Sequence, residues 1–140
     1  MDALYTAKAT ARRGGRTGIV ESTDGALNLE LSMPKGLGGE GGTGTNPEEL
    51  FAAGYSACFE SALANIARKE KLDIPDTEVT CNVMIGKDES DGGFKLAAKL
   101  EVRIPGLDPD KAKDLVEKAH NFCPYSKATR GNMDVELTVV

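Results

Sequence analysis

No stretch of the chain approaches the roughly 20 apolar residues of a membrane-spanning helix, so a transmembrane anchor of that kind is not expected. A secretory leader is not expected either, because the first residues lack its apolar centre. Cysteine occurs three times, as Cys58, Cys81 and Cys123, and histidine once, as His120. Three thiols without a leader argue against a framework of structural disulfides and for a reducing compartment, which makes the cytoplasm the expected location. Lysine and arginine never stand more than two in a row and the net charge is −5, so no nucleic-acid partner is expected. What is present is 140 residues, enough for a real core, and residues 1–140 are read as a single domain.

The stretch Thr45-Asn46-Pro47-Glu48-Glu49-Leu50-Phe51-Ala52-Ala53-Gly54-Tyr55-Ser56-Ala57-Cys58-Phe59 reads as the start of a central helix. Asn46 suits the N-cap and Pro47 the first helical position, where a missing N–H costs nothing. Glu49 follows Asn46 at capping-box spacing, and Glu48 and Glu49 face the positive end of the helix dipole. Phe51, Tyr55, Cys58, Phe59, Ala62, Leu63 and Ile66 recur at three- and four-residue steps, which puts Cys58 on the buried stripe.

Around this helix the chain reads as sheet. Ala3 to Thr10, Thr17 to Ser22 and Ala26 to Leu31 alternate loosely as strands, with a basic turn at Arg12-Arg13-Gly14-Gly15-Arg16. Met33 to Gly44 is a glycine-rich loop. It lacks the Lys-Ser/Thr of a phosphate cradle and suits a flexible connection near a site. Thr77 to Lys87 and Phe94 to Ile104 form a hairpin with Val79, Cys81, Val83 and Ile85 on one face, so Cys81 is a packed strand residue. A second helix starts at Asp108 with Pro109 at its first position, and its stripe Ala112, Leu115, Val116, Ala119 continues to Cys123 before Pro124 ends it. Asp134 to Val140 is a closing strand. The expected class is α+β, antiparallel sheets packed on two main helices.

Cys58 and Cys123 each lie on an inward helical stripe, so side-by-side packing of the two helices can bring the sulfurs together. Read one at a time, each is equally a small core hydrophobe. A thiol that reduces peroxide needs a cation to favour its thiolate, and Arg16 in its glycine-flanked turn is a candidate that keeps its charge. An arginine in an apolar pocket needs an acid to hold it, and Glu48 is the candidate. The plain alternatives are an exposed turn arginine and a first-turn acid serving the helix dipole.

Gly44 through Phe59 closely resembles the first-cysteine motif of organic hydroperoxide resistance (Ohr) proteins, the shorter branch of the Ohr/OsmC family. Ala9 through Gly18 looks like the segment that supplies that family's arginine. Cys123-Pro124-Tyr125-Ser126 followed by Lys127-Ala128-Thr129-Arg130-Gly131-Asn132 resembles the region of its second cysteine. The similarity spans essentially the whole chain. Phe122 departs from it, standing where valine is common.

The resemblance implies an intertwined homodimer of OsmC-like fold and a thiol peroxidase with no metal or other resident cofactor. Cys58, Cys123, Arg16 and Glu48 are its implied catalytic residues. Cys58 attacks an organic or fatty-acid hydroperoxide and becomes a sulfenic acid, and Cys123 closes a disulfide with it. Arg16 favours the thiolate and Glu48 orients Arg16. Lipoyl groups of a lipoylated protein are the implied reductant. Phe51, Tyr55 and Phe59 are candidates to favour bulky organic substrates, and equally candidates for plain core packing.

Three other readings are weaker or open. A cysteine hydrolase would pair a cysteine with His120, which stands three residues from Cys123 on the same helix without a convincing third partner. A zinc site lacks any close Cys-x-x-Cys pair. A non-catalytic dimeric binding module of the same fold stays open. Spacing adds one expectation: Glu48 and Cys58, ten residues apart on one helix, are separated by about 15 Å along its axis. A compact site containing both is therefore expected to be shared between two subunits, unless the helix starts late enough for Glu48 to fold back.

Overall fold

Alternating segments broken by glycine turns build the first part of the chain, and long amphipathic elements build the second. The computed structural model describes residues 1–140, which gather into two compact units, Met1–Leu50 and Phe51–Val140. The division falls inside the central helix.

In the first unit, strands β1 (Ala9–Arg12), β2 (Ile19–Ser22) and β3 (Asn28–Glu30) form an antiparallel sheet in that order. β1 starts later than the loose alternation suggests and takes in Arg12. Arg12 pairs with Ile19 in the ladder, and its guanidinium bonds the Glu21 carboxylate. The turn after it holds three consecutive left-handed residues, Arg13, Gly14 and Gly15, and so reverses the chain tightly just ahead of Arg16. Gly18 closes the turn against backbone: a Cβ there would stand 1.8 Å from the Arg12 carbonyl oxygen. The glycine-rich segment is a loop tied at its base, where Ser32 N–H donates to Thr45 O and Thr45 N–H to Glu30 O, both at 2.9 Å.

Helix α1 spans Pro47–Lys69 and starts as its sequence dictates: Asn46 Oδ1 accepts from Glu49 N–H at 2.7 Å. It buries Tyr55, Phe59, Ala62, Leu63 and Ala67.

In the second unit, β4 (Glu78–Lys87) and β5 (Phe94–Arg103) form the expected hairpin. Every second residue of β4 from Val79 to Ile85 is half-buried, and Val79, Cys81 and Val83 pack against the core. Helix α2 (Pro109–Phe122) is capped by Asp108, whose carboxylate accepts from Asp110 and Lys111 N–H. A short helix α3 (Pro124–Thr129) follows, and then β6 (Asp134–Val139). The sheet order is β4-β5-β6, and one ladder departs from the antiparallel expectation: β6 runs parallel to β5. Helices α2 and α3 form the crossover that a parallel pair requires. The core of this unit joins α1, the inward row Ala98, Leu100 and Val102 of β5, and Ala112, Leu115, Val116, Ala119 and Cys123. No helix is long and apolar enough to cross a membrane.

Candidate active site

Cys123 sits at the corner between α2 and α3. Its backbone leaves the helical region (φ −66°, ψ 124°), and it serves as C-cap of one helix and N-cap of the next. Pro124 is the reason: it forbids α to its predecessor and is pre-set for the first turn of a new helix. The corner turns Cys123 fully inward, and its Sγ–H meets Cys58 Sγ on α1 at 3.6 Å. All three cysteines are free thiols, and Cys58 is only half-buried.

The packing between α1 and the start of α3 is aromatic. Phe51, Tyr55 and Tyr125 stand with ring centroids 5.7–6.1 Å apart, Phe51 edge-on to both tyrosines. Tyr125 packs on α1 at Gly54, where no side chain intervenes.

Burial pushes the Cys58 thiol above the ordinary value, the Tyr125 backbone N–H pulls it back, and Cys123 raises it again. Cys81, on β4, is pushed up to about 11 by burial alone. It packs against the core, as its strand position predicts.

Arg16 and Glu48 meet in the first unit. The guanidinium grips the carboxylate with both arms, Nη1 to Oε2 at 2.8 Å and Nη2 to Oε1 at 2.5 Å. The bond lowers the Glu48 pKa and raises that of Arg16, against the burial that opposes both charges. The side chain of Arg16 keeps 32% of its exposure and that of Glu48 only 13%. This is a fixed cation with one face held and the rest available.

The remaining predicted residues divide. Tyr55 and Phe59 are fully buried, whereas Phe51 lines a cavity of about 420 Å³ with Phe94, Leu96, Thr129 and Met133. Neither cysteine lies on that cavity's wall. Phe122 is half-exposed, with Lys69 Nζ 5.1 Å from its ring centroid. His120 bonds Ser126 Oγ through Nδ1 at 2.9 Å and makes no bond to a cysteine, so the hydrolase pairing has no geometric basis here. No three His, Cys, Asp or Glu side chains cluster as metal ligands would. Tyr125, Ser126 and Gly54 escaped notice as site residues. The available signal was a glycine inside an otherwise good helix-forming segment.

Fold and site together define an α+β protein carrying a pair of thiols in contact. A sequence model of the family described as OsmC-like protein matches residues 39–138, and the chain belongs to that family, in its organic hydroperoxide resistance branch. The organic hydroperoxide resistance protein OhrB of Bacillus subtilis is 56% identical over 135 residues, covering 96% of this chain and 97% of that protein. An organic hydroperoxide resistance protein of Xanthomonas axonopodis pv. citri is 52% identical, covering 97% and 94%. The crystal structure of the B. subtilis protein matches with a TM-score of 0.90 at 53% identity, covering 99% of this chain and all of that one.

Proposed function

We propose that this protein is a cysteine-based thiol peroxidase that reduces organic and fatty-acid hydroperoxides to alcohols, as a defence against oxidative stress. The observation that carries the reading is the 3.6 Å contact between Cys58 and Cys123. The names of its relatives, organic hydroperoxide resistance proteins, supply the substrate class. Cys58 as thiolate attacks one peroxide oxygen, the O–O bond breaks, an alcohol leaves and Cys58 becomes a sulfenic acid. Cys123 then displaces hydroxide from that sulfur, forming the disulfide and water before further oxidation.

Burial opposes the Cys58 thiolate, so the reaction needs a neighbouring cation. Arg16 is that group in our reading. Its free edge favours the thiolate and donates to the peroxide oxygens, while Glu48 holds the guanidinium in plane. Glu48 and Cys58 both lie on α1, ten residues and about 15 Å of helix apart. Helix α1 begins at Pro47, which supports reading the site as one shared between subunits. We therefore assign the working protein to a two-fold homodimer in which Arg16 and Glu48 of one subunit complete the thiol pair of the other. Exposed apolar side chains, Leu4, Tyr5, Leu27 and Leu29, give the first unit surface suited to such an interface.

Phe51, backed by Tyr55 and Phe59, would offer the apolar wall that favours bulky substrates. A lipoyl dithiol on a lipoylated protein is the assigned reductant, since an adjacent pair of thiols resolves a disulfide by two successive exchanges. No resident cofactor enters the scheme, and a reducing cytoplasm suits three free thiols.

One experiment tests the core of this. One equivalent of cumene or tert-butyl hydroperoxide should remove two hydrogens from the non-reduced mass, and dihydrolipoamide should restore them. An unchanged mass with all three thiols intact would leave a binding module and no peroxidase.

A further inference from the structure

Tyr55, His120, Ser126 and Thr129 form a hydrogen-bonded cluster that the peroxide chemistry does not use. His120 Nδ1 lies 2.9 Å from Ser126 Oγ, Ser126 Oγ lies 2.9 Å from Tyr55 Oη, and Tyr55 Oη lies 3.3 Å from Thr129 Oγ1. Thr129 Oγ1 in turn donates to the Ser126 carbonyl at 3.1 Å. Tyr55 and Ser126 are fully buried and Thr129 is 4% exposed, so these groups must satisfy one another.

Counting protons fixes the direction of the chain. Each hydroxyl has one proton to give. Thr129 gives its proton to the Ser126 carbonyl, so Tyr55 must donate to Thr129, Ser126 to Tyr55, and His120 Nδ1–H to Ser126. In the opposite sense, with Nδ1 accepting, Ser126 donates to His120 and Tyr55 to Ser126, and the Tyr55–Thr129 contact is left without a proton. Only a donating Nδ1 fills all four contacts. Burial and the nearby Arg130 also lower the His120 pKa, which favours a neutral ring, and the contacts then put its single N–H at Nδ1.

The positions of these residues say what the cluster holds. Tyr55 precedes Cys58 by three residues on α1. His120 precedes Cys123 by three in the last turn of α2, and Ser126 follows Cys123 by three in α3. The α3 side of the corner that carries Cys123 is thus tied directly to α1 one turn away from Cys58, and His120 on the α2 side is tied to it through Ser126. We propose that His120, acting through Ser126 and Tyr55, is a positioning residue that sets the separation of the two sulfurs and so the readiness of the pair to close a disulfide.

The inference deepens the thiol-peroxidase reading and rests on it for the source of oxidising equivalents, the organic hydroperoxide. In the affected step Cys123 Sγ attacks the Cys58 sulfenic sulfur. The S–S bond forms, the S–O bond breaks, and hydroxide leaves as water with the proton that Cys123 releases. The sulfurs must close from 3.6 Å to about 2.05 Å.

Equilibration of the full chain in glutathione redox buffers, with the disulfide fraction read by mass after acid quenching, tests this without any peroxide. His120→Ala should lower the equilibrium constant for the Cys58–Cys123 disulfide about fivefold, roughly the equilibrium weight of one hydrogen bond. His120→Asn, whose amide N–H can stand near the lost Nδ1–H, should recover most of it. Tyr55→Phe keeps the ring and its packing while removing the hydroxyl, and should give a comparable loss even if His120→Ala folds poorly. A merely structural cluster would lower thermal stability and leave the disulfide constant unmoved. Unchanged constants in both His120→Ala and Tyr55→Phe would overturn the proposal, as would a wild type that forms no such disulfide. A wild type that forms it in glutathione yet does not consume cumene hydroperoxide would count against the peroxidase reading alone.

Discussion

Gly54 lies against the ring of Tyr125, so closely that a Cβ at position 54 would stand 2.5 Å from Tyr125 Oη and 3.1 Å from its Cζ. Alanine inside a helix is ordinarily worth about 0.5–1 kcal/mol over glycine. Here that gain is outweighed, because the Tyr125 ring, packed against Phe51 and Tyr55, must shift to admit a methyl. Gly54→Ala should lower stability by about 1–3 kcal/mol in urea unfolding. Tyr125→Phe removes the closest atom, so the same glycine change should cost less in that background. Equal costs in both backgrounds would show that the hydroxyl is not the obstacle.

The contrast between Gly54 and Asn46 shows what one chain can reveal about itself. Asn46, Asp108 and the β4–β5 hairpin act through neighbours a few residues away, so their roles were legible in order and spacing. Pro124 carried two local meanings at once. It ends α2 and it opens α3, and reading only the first hid the short helix. The parallel seating of β6 depends on where α2 and α3 return the chain, which no local pattern states. The same holds for the site. Helical stripes put Cys58 and Cys123 on inward faces, whereas their contact and the Arg16–Glu48 fork join residues 65 and 32 positions apart.

The three cysteines should separate cleanly by substitution. Cys58→Ser should abolish hydroperoxide consumption. Cys123→Ser should allow one turnover, after which Cys58 climbs to sulfinic acid and gains the mass of two oxygens. Cys81→Ser should retain full turnover, because Cys81 packs against the core and titrates only near 11. Steady turnover of Cys123→Ser without over-oxidation would remove Cys123 from resolution.

Charge at the Arg16–Glu48 pair should appear in two pH profiles. The Glu48 carboxyl is held below its ordinary value of 4.5, so its contribution to stability is full above that pH and fades as the pH falls through the lower, folded value. Glu48→Gln should therefore cost about 1 kcal/mol near neutrality, with Arg16 a third exposed and screened, and nothing in strong acid. Arg16→Ala should shift alkylation of Cys58 to higher pH and slow its oxidation about tenfold or more, each pH unit being a factor of ten in thiolate. Arg16→Lys should restore only part of this, because an ammonium cannot form the planar fork. An alkylation profile unmoved by Arg16→Ala would exclude Arg16 from the chemistry.

Subunit exchange tests the shared site, because helix α1 carries both Glu48 and Cys58 in every chain. Cys58→Ser and Glu48→Ala homodimers should each be nearly inactive. In a mixed dimer with sites completed in trans, the intact Cys58 of one subunit faces the intact Glu48 of the other, and one of the two sites is whole. Activity should then reappear on mixing, approaching half that of wild type for each heterodimer. With sites completed in cis, each subunit of the mixed dimer still lacks one group and nothing is regained. The rise of about 1.5 Å per residue puts the two positions about 15 Å apart along the helix, which is why recovery is the expected outcome. Exchange demonstrated by mass, with no recovery of hydroperoxide reduction, would leave the trans arrangement untenable.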